Sequence, residues 1–307
     1  MSSSFRKVAI LGLGLLGGSV GLAARARGVA DRVVAASRSQ APLRQALQEG
    51  VVDEIGDIAS CVKDADLLVL ATPVGAMPSV LAEAAPDLEP GALVTDLGSV
   101  KEVLAATLPG LLPRGVHYVG AHPMAGGHER GASHAHADLF VGAPCVISAG
   151  EGVPESAAER VAQFWRSLGA DVVLRNPANH DREVAWVSHV PHALAFAFAH
   201  ALEGAPETAT ALAGSGFRDF TRIARSDPGM WSEILNTNRK AVAEVLRAFA
   251  GSLEELGGSI ESGDLEAQEK FLARGAHALE AVAVRPSPST GEALRANVRS
   301  GVVNSEI

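Results

Sequence analysis

The chain has 307 residues, with 47% hydrophobic, 4% aromatic and 20% charged side chains, which suits two domains of ordinary globular composition. Its 26 basic and 35 acidic residues give a net charge of −9, the wrong sign for a nucleic-acid surface. No stretch approaches the roughly 18 uninterrupted apolar residues that a membrane helix needs. The two cysteines cannot form a disulfide framework, and the chain opens without an apolar signal segment. We therefore expect a cytoplasmic protein with small-molecule partners and no nucleic-acid or membrane partner.

The first 177 residues alternate short β-rich apolar runs with helical stretches. This alternation is typical of a parallel sheet that is covered by helices on both faces. The predicted strands are 7–11, 32–36, 67–71, 93–96, 117–121, 144–148 and 171–174. Most are followed by Gly, Pro, Ser or Asp, as strand-to-helix turns require. We predict an α/β, Rossmann-type doubly wound sheet for residues 1–177.

The strand pattern disappears in the second half of the chain. Residues 178–285 consist of Ala- and Leu-rich helical segments, with breaks at 204–206, 214–216 and 227–229. Residues 286–307 are interrupted by Pro, Ser and Gly and are predicted to form a C-terminal tail. The sequence therefore predicts an all-helical second domain at 178–285, followed by this tail.

A glycine-rich turn connects the first predicted strand to an Ala-rich helix. It has the G-x-G-x-x-G spacing, in which the glycines allow a tight turn, a close approach to a pyrophosphate, and close packing of helix and strand. A glycine-rich turn can serve packing alone, but this one opens a complete βαβ unit and therefore indicates a dinucleotide-binding domain. The predicted cofactor-binding residues of this turn are Gly12, Gly14, Leu15, Leu16 and Gly17.

The end of the second strand bears on the choice of cofactor. NAD-binding chains carry Asp or Glu at this place to bind the ribose hydroxyls, whereas here the residues are Ser37, Arg38 and Ser39. A guanidinium can pair with a 2′-phosphate, and a hydroxyl can donate to it without repulsion. The sequence favours NADP, with NAD possible. The alternative is that Arg38 is only a solvated loop cation.

Two further strand ends contribute to the predicted cofactor site. Thr72 and Pro73 follow the third predicted strand, and Gly98 follows the fourth. Open α/β sheets bind their ligands at the carboxyl ends of the strands. We therefore expect these three residues to contact the dinucleotide.

The predicted catalytic residues lie at the same edge of the sheet. His122 ends the fifth strand, and a histidine near its reference pKa can take a hydroxyl proton while a hydride leaves the same carbon. Ser99 lies beside it after the fourth strand. Because Glu102 follows three residues later, Ser99 is also expected to cap the next helix in a capping box.

Five histidines fall within twenty residues, a density that raises the possibility of a zinc site. They are His117, His122, His128, His134 and His136. Their spacing matches no helical ligand pair, no cysteine or carboxylate cluster accompanies them, and hydride transfer needs no metal. The sequence therefore predicts no metal.

The helical half carries two polar groups of interest. The string SHVPH places Ser188 and His192 on one face of an apolar helix, with His189 beside them. This helix either lines a cleft or is kinked at its proline, with histidines that bond to backbone carbonyls. Arg222 has apolar neighbours and is predicted to bind a carboxylate, although three arginines in eight residues could be surface charge alone.

The chain resembles the prephenate and arogenate dehydrogenase family of tyrosine biosynthesis over residues 6–280. The similarity lies in the strings GLGLLGGSV, LATPV, DLGSVK, HPMAG, SHVPHALAFA and GSGFRDFTRIARSDPGMW. The resemblance implies a nucleotide-binding domain, a helical dimerisation domain and therefore a homodimer. It also implies NAD(P)-dependent oxidative decarboxylation of a cyclohexadienol to an aromatic product.

The resemblance also implies roles for individual residues. His122 resembles the catalytic histidine that hydrogen-bonds the ring hydroxyl, and Ser99 resembles its neighbour. Arg222 resembles the arginine that holds a substrate carboxylate, and Trp231 the tryptophan near the dimer-related site. The residues that resemble the helix lining the substrate site are Ser188, His189 and His192. The alternative for Trp231 is that it fills the core of its own subunit.

One departure from the family pattern affects the substrate. Many relatives follow the HPxxG string with Ser or Thr and then Glu, whereas Gly127 and His128 stand here. The choice between prephenate and arogenate therefore stays open. The sequence also leaves two other functions open. One is a β-hydroxyacid or imine reductase, which would be expected to use a Lys-centred catalytic helix. The other is a non-catalytic dinucleotide-sensing module.

Overall fold

A computed structural model describes residues 5–126 and 131–280 of the chain. The described residues form one eight-stranded sheet with the order β3-β2-β1-β4-β5-β6-β7-β8. Its strands are β1 (Phe5–Leu11), β2 (Ala30–Ala36), β3 (Glu54–Ile55), β4 (Leu67–Leu70), β5 (Leu93–Asp96), β6 (His117–Pro123), β7 (Pro144–Ala149) and β8 (Asp171–Leu174). This order is that of a Rossmann-type doubly wound sheet, which confirms the predicted fold class.

Helices connect most of these strands, and further helices follow β8 in the described part of the chain. They are α1 (Leu15–Ala26), α2 (Gln40–Gln48), α3 (Ile58–Val62), α4 (Met77–Ala84), α5 (Glu102–Thr107), α6 (Glu155–Ser167), α7 (Pro177–Val184), α8 (Val190–Ala201), α9 (Ser215–Arg222), α10 (Pro228–Thr237), α11 (Arg239–Glu261) and α12 (Leu265–Glu280). A π-helical turn, Ala185–His189, joins α7 to α8. No strand follows β8 in the described part of the chain, so the second half is helical as predicted.

The sheet is buried on both faces. Val8 and Ile10 of β1 pack into one core with α1, α2 and α6, where Phe164 and Trp165 are the largest side chains. The intervening strand residues pack into a second core with α3, α4 and α5. A strand buried on both sides needs apolar residues at every position, which explains the continuous rather than alternating apolar runs.

The structure corrects the predicted sheet in two respects. β6 and β7 pair antiparallel, with His122 opposite Val146, so the sheet is mostly parallel rather than wholly so. The described residues of the connection from β6 to β7, 124–126 and 131–143, contain no crossover α-helix, so the strand is free to run the other way. In addition, β3 pairs with β2 at the edge of the sheet and was not predicted, because two residues carry no periodic signal.

By contact, the chain divides into two compact units, one ending at Val242 and the other beginning at Ala243. The second unit contains the rest of α11 and then α12, which begins after a turn at Gly263. In this unit Gln268 donates to the Ser259 carbonyl at 2.9 Å, so the two helices run antiparallel as a hairpin. None of the helices within the described ranges is long and apolar enough to cross a membrane. The cytoplasmic location stays a prediction.

Candidate active site

The turn between β1 and α1 forms an open cradle at the carboxyl edge of the sheet. Gly12 has a φ of +103°, which an L side chain rarely adopts, and its N–H donates to the Ala36 carbonyl of β2 at 2.9 Å. A Cβ on Gly17 would lie 2.3 Å from the Gly12 oxygen, so only glycine allows α1 to pack here. A Cβ on Gly14 would meet nothing within 4 Å, which leaves room for a ligand before the helix N-terminus.

Thr72 supports the assignment of a cofactor to this edge. Its hydroxyl oxygen is buried and has no hydrogen-bond partner within the described residues, as expected of a group that bonds to a ligand. The loop that follows is tied to the helical half, because the Gly75 N–H donates to the Glu233 carboxylate of α10. The cradle and this hydroxyl fit a bound dinucleotide.

The remaining predicted cofactor residues lie around this edge. Ser37 and Arg38 follow β2, with Arg38 exposed, and Ser39 is the N-cap residue of α2. Gly98 is buried beside Asp96, where a Cβ would meet the carboxylate oxygen Oδ1 at 2.9 Å. The structure therefore gives Gly98 a packing role of its own, while its contact with a cofactor stays a prediction.

A buried ion pair lies beneath the site. Lys101 Nζ donates to Asp96 Oδ1 at 2.6 Å, and both side chains are almost completely buried. Asp96 also accepts from the Tyr118 hydroxyl at 2.6 Å and from the Gly98 and Ala121 N–H groups at 2.6 and 3.3 Å. Burial, followed by Asp96, raises the pKa of Tyr118, so the phenol stays protonated and donates. Every charge in this cluster is paired, as burial requires.

A chain of three buried side chains starts at His122. Its Nδ1 lies 2.8 Å from Nε2 of His180, whose own Nδ1 lies 2.7 Å from Oδ1 of Asp181. His122 ends β6, and the other two residues lie in the first turns of α7. The fold therefore brings the predicted base against a histidine and a carboxylate from the start of the helical half.

Asp181 also holds the start of α5, which corrects the expected cap of that helix. The helix begins at Glu102 with Lys101 as the N-cap residue, so Ser99 does not cap it. The Lys101 and Glu102 N–H groups donate instead to Asp181 Oδ1 and Oδ2, at 2.7 and 2.9 Å. A carboxylate from another element is available to these donors, so the local capping box is not needed.

These contacts set the proton positions on both imidazoles. Asp181 receives two backbone N–H groups and therefore acts as an acceptor, so His180 must donate to it through Nδ1–H. The Nε2 of neutral His180 is then an acceptor, and His122 donates to it through Nδ1–H. The lone pair of His122 consequently lies on Nε2, where it can accept a proton from a ligand.

The environment of His122 differs from the expectation of an ordinary pKa. Burial lowers the pKa of His122 well below its usual range, and His180, Lys101 and His189 add to this shift. The imidazole is therefore neutral at neutral pH, as a general base must be.

A second buried histidine, His189, carries its proton on the other ring nitrogen, Nε2. Nδ2 of Asn238 donates to the Asp181 carbonyl at 2.7 Å and lies 3.0 Å from Nδ1 of His189. Because the carbonyl can only accept, the amide nitrogen faces both groups and His189 Nδ1 accepts. His189 is completely buried and carries its proton on Nε2, which has no hydrogen-bond partner in the described chain. Burial lowers the pKa of His189 to about 4, so this group is a neutral donor.

The rest of the SHVPH segment lies on the π-helical turn and the start of α8. The Nδ1–H of His192 donates to the Ser188 carbonyl at 2.9 Å. This histidine therefore bonds to a backbone carbonyl, as one of the two interpretations of the SHVPH segment predicts. The His192 ring stacks on Trp231 with centroids 3.8 Å apart. Trp231 is 7% exposed and is buried within its own chain, as the alternative interpretation of this residue predicts; its place relative to a second subunit stays a prediction.

Arg222 ends α9 and is exposed. Its helix packs on α8, where Phe198 contacts the rings of Phe217 and Phe220. The predicted carboxylate anchor is therefore carried by an element that packs on the helix of His192, and its role stays a prediction. Gly127 and His128 lie outside the described residues. No group of three metal-ligating side chains occurs within ranges 5–126 and 131–280.

The sequence patterns do not identify the residues that organise this site, namely Asp96, Lys101, His180, Asp181 and Asn238. One signal was available, since a His-Asp pair directly follows a helix start at Asn176-Pro177. Polar side chains in the first turn of an apolar helix need partners when the helix is buried. Nothing local pointed to Asn238.

Comparison with known proteins agrees with this geometry. The family described as prephenate dehydrogenase, nucleotide-binding domain, matches residues 20–174, and the family described as prephenate dehydrogenase, dimerization domain, matches residues 176–274. The cyclohexadienyl dehydrogenase of Zymomonas mobilis is 32% identical over 265 residues, which cover 85% of this chain and 90% of that protein.

Two crystal structures are similar throughout. Prephenate dehydrogenase from A. aeolicus, in complex with hydroxyphenyl propionate and NAD+, has a TM-score of 0.83 at 30% identity, covering 91% of this chain and 99% of that one. Synechocystis arogenate dehydrogenase has a TM-score of 0.78 at 30% identity, covering 89% and 99%. Together with the two domain matches, these similarities show that the chain belongs to the prephenate dehydrogenase family.

Proposed function

We propose that the protein catalyses the NAD(P)-dependent oxidative decarboxylation of prephenate, arogenate or both, in tyrosine biosynthesis. The observation that carries the proposal is His122, which lies near the carboxyl end of β6, at the same edge of the sheet as the glycine cradle, with its lone pair on Nε2. The related proteins are prephenate, cyclohexadienyl and arogenate dehydrogenases. These findings set aside the two other functions considered from the sequence.

The cradle would hold the cofactor. Backbone N–H groups at the start of α1 would bind its phosphates, and the Thr72 hydroxyl would supply a further polar contact. When bound, a nicotinamide accepts the hydride that the substrate carbinol carbon releases. We infer a preference for NADP, because Arg38 and Ser37 occupy the place of an acidic ribose ligand.

The chain contributes a base and its orientation. His122 Nε2 takes the proton of the ring hydroxyl while the carbinol carbon loses its hydride, and CO2 leaves the para position as the ring becomes aromatic. This step is strongly downhill, so it needs an oriented base rather than a strong one. Ser99 lies in the loop between Asp96 and α5, and its backbone is close enough to His189 to affect that residue's pKa.

The substrate carboxylate needs a fixed cation, because its burial without one would be costly. We assign this role to Arg222, with Ser188, His189 and His192 lining the site. Gly127 belongs to the same assignment through its place after the HPMAG string. Trp231 contributes by stacking on His192.

We infer a homodimer from the match to a dimerization domain and from the second compact unit. In that unit, five large apolar side chains are more than half exposed, with a seven-residue spacing on each helix: Leu253 and Ile260 on α11, and Leu265, Leu272 and Leu279 on α12. Exposed stripes of this kind pack against a second copy at low cost. Sedimentation velocity of the purified chain tests this inference, and a fully active monomer at assay concentration contradicts it.

One assay tests the proposed activity. Cofactor reduction is followed at 340 nm with prephenate and with arogenate, each in the presence of NAD and of NADP. We expect turnover with at least one combination and a higher kcat/KM with NADP than with NAD. The absence of turnover in all four combinations, in protein shown to bind a cofactor, contradicts the function.

A further inference from the structure

The His122–His180–Asp181 chain does more than orient a base. We propose that the proton taken from the substrate passes from His122 to His180, so that the cation formed during the reaction is a His180–Asp181 ion pair. This inference rests on the proposed function of His122 as the base. It assigns a relay role to His180, which acts through His122.

The proton path is continuous in the structure. As the substrate O–H bond breaks, a bond forms between that proton and His122 Nε2. The Nδ1–H bond of His122 then breaks, and its proton crosses the 2.8 Å contact to Nε2 of His180. His180 keeps its own Nδ1–H, which donates to Asp181 at 2.7 Å. His122 is left neutral with its proton on Nε2, where it donates to the product oxygen, and the relay has gained one proton.

The surroundings favour a charge on His180 over a charge on His122. The titratable groups that act on His122 are His180, the Lys101 ammonium and His189, and the backbone of His122 contacts the thiol of Cys145. The thiol is neutral, because burial raises the pKa of Cys145, and the nearby Asp96 carboxylate is already paired with Lys101 and accepts from Tyr118 and Ala121. His180 faces His122 on one side and the Asp181 carboxylate on the other. Two opposite charges in contact and shielded from water attract strongly.

The carboxylate is prepared for this role. Asp181 is 3% exposed and is fixed by the Lys101 and Glu102 N–H groups, so it does not have to reorganise when His180 becomes charged. Preorganised partners of this kind stabilise a developing charge without a further cost during the reaction. Burial, which lowers the pKa of His122, agrees with a proton that moves on.

The substitution His180→Gln separates orientation from relay. The glutamine carbonyl can accept from His122 Nδ1–H and its amide can donate to Asp181, which preserves the tautomer of His122 but gives the proton no place to go. We expect an unchanged KM, a kcat lower by on the order of tenfold or more, and an acidic limb of kcat/KM that moves to lower pH. His180→Leu removes both functions and should lower kcat further. His200→Gln, which alters an exposed histidine paired with Glu203, is the matched control and should change nothing.

A second measurement needs no substitution at His180. In ¹⁵N NMR spectra of the substrate-free wild-type protein, titrated downward in pH, we expect His122 to remain a neutral imidazole when the relay takes up its first proton, with signals assigned through His122→Asn. A wild-type kcat and pH profile in His180→Gln overturns the relay, and so does a first proton on His122. The NMR result does not depend on turnover, so failure of the assay with prephenate and arogenate would contradict the proposed function without deciding the relay.

Discussion

Replacement of Lys101 by methionine tests the buried cluster beneath the site. The substitution keeps most of the unbranched apolar part of the side chain but leaves the Asp96 carboxylate completely buried without its cation, which lies 2.6 Å away in the wild type. Removal of one partner from a buried pair typically costs about 3–5 kcal/mol, because the other charge stays desolvated. We expect a loss of this size in the free energy of unfolding. Since Lys101 also lowers the pKa of His122, the acidic limb of kcat/KM should move to higher pH.

Urea unfolding followed by tryptophan fluorescence measures this loss. All three tryptophans lie in the unit that ends at Val242, so the signal reports on the unit that contains the site. Arg166→Met is the matched control, because it breaks an exposed pair with Glu159 at a similar distance of 2.7 Å and should cost less than about 1 kcal/mol. The double variant with Asp96→Asn removes both charges and should recover part of the loss. Equal losses of unfolding free energy in Lys101→Met and Arg166→Met would show that the buried Asp96 carboxylate does not depend on the Lys101 ammonium.

Single substitutions test the predicted roles of Arg38, Arg222 and His189. Arg38→Ala should raise the KM for NADP by about tenfold and leave that for NAD nearly unchanged, since only the 2′-phosphate loses a partner; equal effects on both cofactors would contradict this. Arg222→Ala should raise the substrate KM far more than it lowers kcat, because an anchor acts alike in ground and transition states. An unchanged KM removes Arg222 from the site. The folded-state pKa of His189 is about 4, below its ordinary value of 6.5. Between these pH values, the side chain therefore binds a proton in the unfolded chain but not in the folded chain. Stability should therefore fall by about 2–3 kcal/mol as pH drops through this window, and His189→Asn, measured by urea unfolding at pH 7 and 4.5, should lack that part of the loss.

Local patterns were sufficient to predict most of the sheet and the cradle. The glycine spacing after β1 directly reports a backbone constraint, since Gly12 needs a positive φ and Gly17 has no space for a Cβ. The apolar runs report burial on both faces, so seven of the eight strands were found within two residues of their observed ends. The direction of β7 was not predictable in the same way, because it depends on the path of the chain between β6 and β7.

The organisation of the site depends on contacts between distant parts of the chain, which no window of sequence contains. Asp181 receives the N–H groups of Lys101 and Glu102 from 80 and 79 residues away, and Asn238 reaches Asp181 from 57 residues away. Ser99 has the local pattern of a helix cap, but the N–H groups at the start of α5 donate to a carboxylate from α7 instead. His122 was identifiable from its place at a strand end, whereas its altered pKa results from burial that only the folded chain produces.

We assign His122 as the base of a dehydrogenase site, and the substitution His122→Asn is the test of this assignment. The asparagine is similar in size but cannot accept the proton, and position 122 lies in β6, whereas the cradle lies between β1 and α1. Single-turnover reduction of the cofactor, together with cofactor binding followed by fluorescence, should show a rate lower by about 10²-fold or more and an unchanged Kd for the cofactor. A variant that reduces the cofactor at the wild-type rate would contradict the claim.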